Sequence, residues 1–216
     1  MTQEALRKRT SFLDKARTRT TSSSWQRIAL AAILVLSAFL NLFRITQEGY
    51  GNDYYAASVK SMLTSWSNFF FVSFDAGFIS VDKPPLGLWI QAASAWLFGF
   101  HGWALLFPQA LTGVLSVALL YYLVRRPFGP VAGLLSALVL ALTPIVVATS
   151  RNNTSDMLVV LTVLVAACAV IRAVETGRVR WLLLCAVVVG LGFNIKCYRH
   201  TWCCPPSTCC TSSRPR

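Results

Sequence analysis

Of the chain's 216 residues, 55% are hydrophobic and only 13% charged, about half the charge of a soluble domain; with a mean hydropathy of +0.56 it reads as a membrane protein. The net charge of +12 does not point to nucleic acid, because the basic residues fall in short clusters between apolar runs and no groove-reading motif accompanies them. The seven cysteines give no zinc spacing: Cys168 and Cys185 sit in apolar runs as small hydrophobes, and the remaining five crowd into the last twenty residues.

Residues 1–24 carry Arg7, Lys8, Arg9, Lys15, Arg17 and Arg19 and end in a Thr/Ser run, a composition expected of a disordered basic cytoplasmic tail. Trp25–Phe43 is apolar apart from Gln26, Arg27 and a few small polar residues, and is long enough to span. It is long for a signal peptide and shows no convincing small-residue cleavage site, so it is read as an uncleaved first helix with its N-terminus inside. Arg44–Pro85 follows as the one long polar interval. It holds Glu48, Asp53, Asp75 and Asp82, four of the eight acidic residues, and ends in Asp82-Lys83-Pro84-Pro85. Within it, Asp53–Leu63 is predicted helical, with Tyr55, Val59, Met62 and Leu63 on one stripe. The aromatic-rich Trp66–Phe78 reads either as an interfacial belt or as a surface for an acceptor or lipid.

Leu86–Phe98 is apolar but about 13 residues long, too short to cross comfortably, and is read as a helix lying along or dipping into the outer surface. Gly102–Val124, Gly129–Thr149, Met157–Ile171 and Trp181–Ile195 are predicted crossings. The expected fold is therefore an all-α integral membrane protein: a multi-span helical bundle of about five spans, with a long first outer loop containing juxtamembrane helices. With Leu86–Phe98 on the surface, Arg125/Arg126 and Arg172/Arg178/Arg180 fall inside with the basic tail, and Asp53, Lys83 and Asp156 fall together outside. If that segment crossed, the Arg125 loop would move outside and Asp156 inside, which the positive-inside rule disfavours.

Hydropathy stops abruptly after Lys196. Residues 197–216 read CYRHTWCCPPSTCCTSSRPR. Permitted codons for this run, shifted by one base, give Met-Leu-Gln-Ala-Tyr-Leu-Val-Leu and further apolar residues. The expectation is an out-of-frame tail behind a membrane domain of residues 25–196, with a natural Cys-rich tail as the alternative.

The polar residues that stand out are Asp53, Asp82, Lys83, Arg151 and Asp156. A carboxylate at the membrane surface can take a proton from an acceptor hydroxyl, help typically worth about 10²–10⁴-fold. A Lys or Arg can bind a lipid phosphate and stabilise it as a leaving group. Pro84-Pro85 stiffens the backbone beside Lys83. The same charges read equally as loop solvation or structural ion pairs.

A set of motifs adds to this reading: Asn52-x-Tyr54-Tyr55-Ala56-Ala57, Ser73-Phe74-Asp75, Asp82-Lys83-Pro84-Pro85-Leu86, Leu97-Phe98-Gly99, Pro108-Gln109-Ala110-Leu111, Arg125-Arg126-x-Phe128-Gly129, Leu142-Thr143-Pro144 and Arg151-x-Asn153-x-x-Asp156. From Trp25 to Lys196 the chain resembles bacterial polyprenol-phosphate-sugar glycosyltransferases of the GT-C superfamily. These are relatives of the protein O-mannosyltransferases (glycosyltransferase family 39-like) and of the lipid A aminoarabinose transferases. The resemblance implies an integral enzyme of the cell membrane that takes a mannose-like hexose or aminopentose from a polyprenyl phosphate on the outer face. It would pass the sugar, with inversion, to an envelope acceptor: protein, lipid or cell-wall polymer. It implies Asp53 and Asp156 as catalytic residues, Lys83 and Arg151 as binders of the carrier phosphate, and Asn52, Tyr55, Asp82 and Asn153 in support. The relatives' Asp-Glu pair falls two positions before Asp53, where this chain has Gly51 and Asn52. Expected partners are the polyprenyl-phosphate-linked sugar, the acceptor and membrane lipid, and not nucleic acid. No cofactor is required by the sequence, no metal ligand is named, and a divalent metal is left open. Relatives are much longer, so a fragment without turnover is one expectation. The competing class is a non-catalytic transporter or flippase, but such proteins place charges near the bilayer midplane, whereas here they lie at helix ends.

The topology is testable with single cysteines at Ser67, Ser155 and Arg126 and an impermeant thiol reagent. Positions 67 and 155 should label from outside and position 126 only after permeabilisation; the reverse pattern for 126 and 155 would overturn the arrangement.

Overall fold

A computed structural model describes residues 24–74 and 79–196 of the chain. The basic segment 1–23, Asp75 and the Cys-rich segment 197–216, with the frame expectation attached to it, lie outside the described residues.

The apolar first segment forms α1 (Ser24–Leu42). Arg44, in the left-handed region at φ 55, ends it and turns the chain into a 3-10 turn, Ile45–Glu48. Asn52 then caps α2 (Asp53–Met62), its side chain accepting from the Tyr54 amide and satisfying one of the donors a helix start leaves orphaned. Ser65 does the same for α3 (Trp66–Phe71). Two-residue strands β1 (Ser73–Phe74) and β2 (Ile79–Ser80) pair antiparallel, Ser73 with Ser80. Pro85 sits at the first turn of α4 (Pro85–Phe98), where its missing N–H costs nothing. The helices predicted at Asp53–Leu63 and Leu86–Phe98 are thus present as α2 and α4, each with a local start signal, and α3 is a further helix in the aromatic-rich segment.

α2 and α3 pack as a layer on α4. Ala56, Val59 and Met62 of α2 bury against Leu88, Ala92 and Ala95 of α4 and Leu105. Trp89 donates its indole N–H to the Phe69 carbonyl and stacks on the Phe69 ring at 5.8 Å, tying α3 to α4. α5 (Gly102–Phe128) is the central helix, packing against α1, α4, α6 and α8. Ser94 of α4 donates to the Ala104 carbonyl and closes the α4–α5 corner. The start of α5 rests on the 3-10 turn: a Cβ on Gly102 would overlap the Gly49 carbonyl oxygen.

The expected crossing Gly129–Thr149 is two helices, α6 (Pro130–Leu142) and α7 (Pro144–Ser150), bent by 62°. Pro144 has no N–H and its ring disfavours helical geometry at the residue before it. Thr143 is accordingly extended, at ψ 117. α8 (Asp156–Thr176) and α9 (Val179–Ile195) pair along their lengths, joined by Gly177 in the left-handed conformation. Among the described residues, α1 with the adjoining turn, α5 and α8 are long and apolar enough to cross a membrane, four spans if α6–α7 is one; α9 is a shorter apolar helix. The count of about five spans is reached only when α9 is included. Leu183, Val187 and Phe193 on α9 are exposed apolar side chains, the surface that hydrocarbon covers on a multi-pass membrane protein.

Gly102→Ala should lower the thermal unfolding midpoint in detergent, by overpacking worth about 1–3 kcal/mol. Gly190→Ala on α9, where a Cβ meets nothing within 4 Å, should hold or raise it, by about 0.5–1 kcal/mol. Equal midpoints for the two variants would show that the Gly49–Gly102 approach imposes no constraint.

Candidate functional site

The turn between α7 and α8 is bound to the start of α2 by one side chain. The Asn52 amide donates to Asn153 Oδ1 at 2.8 Å, and Asn153 Nδ2 donates to the Asn52 carbonyl at 3.0 Å. Asn153 is 1% exposed. Its own carbonyl accepts from Gln91 Nε2 of α4 at 2.7 Å. Three segments remote in sequence therefore converge on one asparagine. Close approach is required here. A Cβ on Gly51, already at φ +71, would press on Asn152, Asn153 and Leu106, and one on Gly87 would overlap the Ser155 hydroxyl.

Below this clamp lies a cleft of about 90 Å³, lined by Tyr55, Lys83, Leu88, residues 153–156, Ile195 and Lys196. Lys83 comes from the loop before α4, Asp156 from the first turn of α8, and Lys196 from the end of α9. Asp156 and Lys196 form an ion pair. Lys83 lies 3.6 Å from Asp82, and both are more than a third exposed, so that contact adds little to stability while keeping the ammonium beside a carboxylate. Burial, and then the charge of Asp82, push the Tyr55 phenol up from its ordinary value, with smaller contributions from Tyr54 and Asp156. Tyr55 is therefore a neutral hydrogen-bond donor at physiological pH. Two lysines and a phenol around a space of this size form a donor set for an anion such as a phosphate.

The expected site residues divide. Tyr55, Lys83, Asn153 and Asp156 line the cleft. Asn52 and Asp82 adjoin it, through the clamp and through Lys83. Asp53 is exposed in the first turn of α2, two residues from Tyr55, and does not line the cleft. Arg151 stands apart. Its Nε and Nη2 donate to Glu48 Oε1 at 2.9 and 2.7 Å, and Nη1 donates to the carbonyls of Leu40 and Phe43 at 3.0 and 2.9 Å. The guanidinium thus closes the C-terminal end of α1 and faces a separate recess with Glu48, Leu142 and Pro144. Lys196 and Gln91 were not singled out from the sequence. Lys196 marks the end of an apolar run, and that position was the signal available. Among the described residues no three His, Cys, Asp or Glu side chains converge as metal ligands.

The family described as dolichyl-phosphate-mannose-protein mannosyltransferase matches residues 82–203. A Bacillus subtilis protein named "Putative mannosyltransferase YycA" is 50% identical over 169 residues, covering 78% of this chain and 25% of its own length. A second from the same organism, "Putative mannosyltransferase YkcB", is 48% identical over 170 residues, covering 78% and 24%. A Mycolicibacterium smegmatis protein named polyprenol-phosphate-mannose–protein mannosyltransferase is 30% identical over 123 residues, covering 53% and 23%. The chain thus spans about a quarter of the length of these curated relatives. No solved structure matches it.

Asn153→Ala removes both bonds to Asn52 and strands its amide and carbonyl, a loss of about 2 kcal/mol. Asn153→Asp should not rescue, because it sets a carboxylate oxygen against the Asn52 carbonyl. Unfolding midpoints in detergent read both, and parent-like values would show that the clamp is not structural.

Proposed function

The chain belongs to the dolichyl-phosphate-mannose-protein mannosyltransferase family, and from that membership we propose that it forms the carrier-phosphate end of a membrane glycosyltransferase. The enzyme takes a sugar from a polyprenyl phosphate at the outer face of the cell membrane and passes it, with inversion, to an envelope acceptor. The observation that carries this reading is the meeting of Lys83, Lys196, Asp156 and Tyr55 in one cleft at helix ends. Relatives named as undecaprenyl-phosphate aminoarabinose transferases and as polyprenol-phosphate-mannose–protein mannosyltransferases support the class of donor.

The chemistry follows from the charges. The acceptor oxygen attacks the anomeric carbon from the face opposite the phosphate. The bond from that carbon to the phosphate oxygen breaks, the acceptor proton goes to a carboxylate, and the polyprenyl phosphate leaves with the bonding pair. Negative charge grows on the leaving phosphate, so fixed cations beside it stabilise the transition state more than the ground state. We assign Lys83 and Lys196 to the phosphate, with the Tyr55 hydroxyl as a neutral donor. Asp156 orients Lys196 through their ion pair and yields it to the incoming phosphate. Asp53, exposed and close in sequence to Tyr55, is assigned as the acceptor's base. Arg151, engaged by four hydrogen bonds to Glu48 and the end of α1, is assigned to the frame of the site and not to the carrier.

The reading is tested on the chain itself by binding undecaprenyl phosphate in detergent micelles. Loss of a charge-assisted contact from Lys83→Ala should weaken binding about 10- to 100-fold, with Lys83→Arg retaining part of it because charge survives while geometry changes. Arg151→Gln should lower thermal stability with less effect on affinity. Parent-like affinity in Lys83→Ala at matched folding would show that Lys83 is a solvated loop charge and remove the proposal.

A further inference from the structure

The end of the bundle away from the cleft carries a second, differently built cation cluster. Asp156 begins α8 and Arg172 lies sixteen residues on. At 1.5 Å per residue they stand roughly 24 Å apart along the helix, near the roughly 30 Å thickness of the hydrocarbon layer. Around Arg172 the side chains stack. The Arg126 and Arg172 guanidinium carbons lie 5.0 and 5.9 Å from the centre of the same Tyr122 ring. Arg172 also donates to the Tyr122 hydroxyl and lies 5.7 Å from the Trp181 ring. Arg125 lies over Tyr121 at 5.7 Å. Arg178 and Arg180 are exposed at the turn into α9. Among the described residues the acid at this end is Glu175, paired with Arg126. This end thus gathers five arginines and one carboxylate among the described residues.

Two further observations point to an acceptor that belongs there. Among the described residues Arg172 Nε and Trp181 Nε1 are both buried donors without a hydrogen-bond partner, although each such donor normally has one. The apolar neighbours on the same rim are exposed: Val174 by 77%, Val179 by 66% and Leu182 by 53%. Hydrocarbon covers such side chains on a membrane-embedded bundle, so an anion held by these arginines sits directly above acyl chains. An amphiphile with a phosphate above its acyl chains uses both.

We propose that the α8–α9 turn is a binding site for an anionic phospholipid, whose headgroup phosphate is held by Arg172, Arg178 and Arg180 beside Trp181 and whose acyl chains run along Val174 and Leu182. The site lies in the leaflet opposite the carrier cleft and is independent of glycosyl transfer. Arginines at headgroup depth attract anionic lipid by roughly five-fold each, and the stacked rings fix the orientation of Arg172 before the lipid arrives.

The test uses the full chain reconstituted in phosphatidylcholine vesicles, with the association of spin-labelled phosphatidylglycerol compared to that of spin-labelled phosphatidylcholine. The parent should prefer phosphatidylglycerol several-fold. The surface variant R178Q/R180Q should bring the ratio most of the way to one, and Arg172→Gln should lower it if it folds. Millimolar inorganic phosphate should leave the parent's preference in place. Equal association of the two lipids by the parent overturns the proposal. So does a preference retained in full by R178Q/R180Q, and so does a preference abolished by inorganic phosphate, which would mark a free-anion site.

Discussion

The pair of hydrogen bonds between Asn153 and the Asn52 backbone is the constraint on which the site depends. An asparagine amide presents one donor and one acceptor side by side, the complement of a peptide group's own carbonyl and N–H. Here it substitutes for a strand partner and locks the start of α2 to the turn before α8. Gln91 fixes the asparagine's own carbonyl from a third direction. In a membrane-embedded bundle the helices slide easily against one another, because apolar side chains have little preference between each other and lipid. Directional polar contacts at the helix ends therefore set the register. The same logic accounts for Arg151, which ties the end of α1 and Glu48 to the α7–α8 turn with four hydrogen bonds. Clamped from both sides, the turn holds Asp156 at the mouth of the cleft.

Much of the architecture was legible because it is written locally. Asn52 before an apolar stripe marks the start of α2, and Pro85 before an apolar run marks the start of α4. The bend at Thr143–Pro144 was also written locally but was overridden by continuous hydropathy, since a window averaging over a segment does not register a single missing N–H. The approach of Lys83 to Asp156 followed from charge sidedness, which gathers those loops on one end. What the sequence could not convey is pairing at long range. Nothing near Arg151 in the chain names Glu48 as its partner, more than a hundred residues away, so its charge read as available. Lys196 was passed over for a related reason. At the end of a hydrophobic segment a lysine reads as a boundary, and only the pairing of α8 with α9 brings it back beside Asp156.

The two ends of the bundle use cations differently. At the carrier end the positive groups are lysines, compact and strongly hydrated, each beside a carboxylate. At the far end they are arginines set over the rings of Tyr121, Tyr122 and Trp181. A guanidinium tolerates stacking because its plane is weakly hydrated, whereas an ammonium keeps its water. The lysine end is therefore free to exchange partners and the arginine end is held in shape. Such a division fits the two proposed roles, a transient phosphate at the lysine end and a bound lipid at the arginine end.

The Asp156–Lys196 pair also bears on how the cleft discriminates. With Asp82 and Asp156 set against Lys83 and Lys196, the charges around the cleft sum formally to zero. On the proposed reading the cleft would behave as an ion exchanger: an anion would enter only by offering Lys196 more than the carboxylate it displaces. Chloride, with one diffuse charge and no fixed geometry, gains little by that trade. A phosphate with several oxygens would offer acceptors to both lysines and to the Tyr55 hydroxyl. On its departure Asp156 would recover its partner, so the pair would lower the cost of release as well as the affinity for the wrong ion.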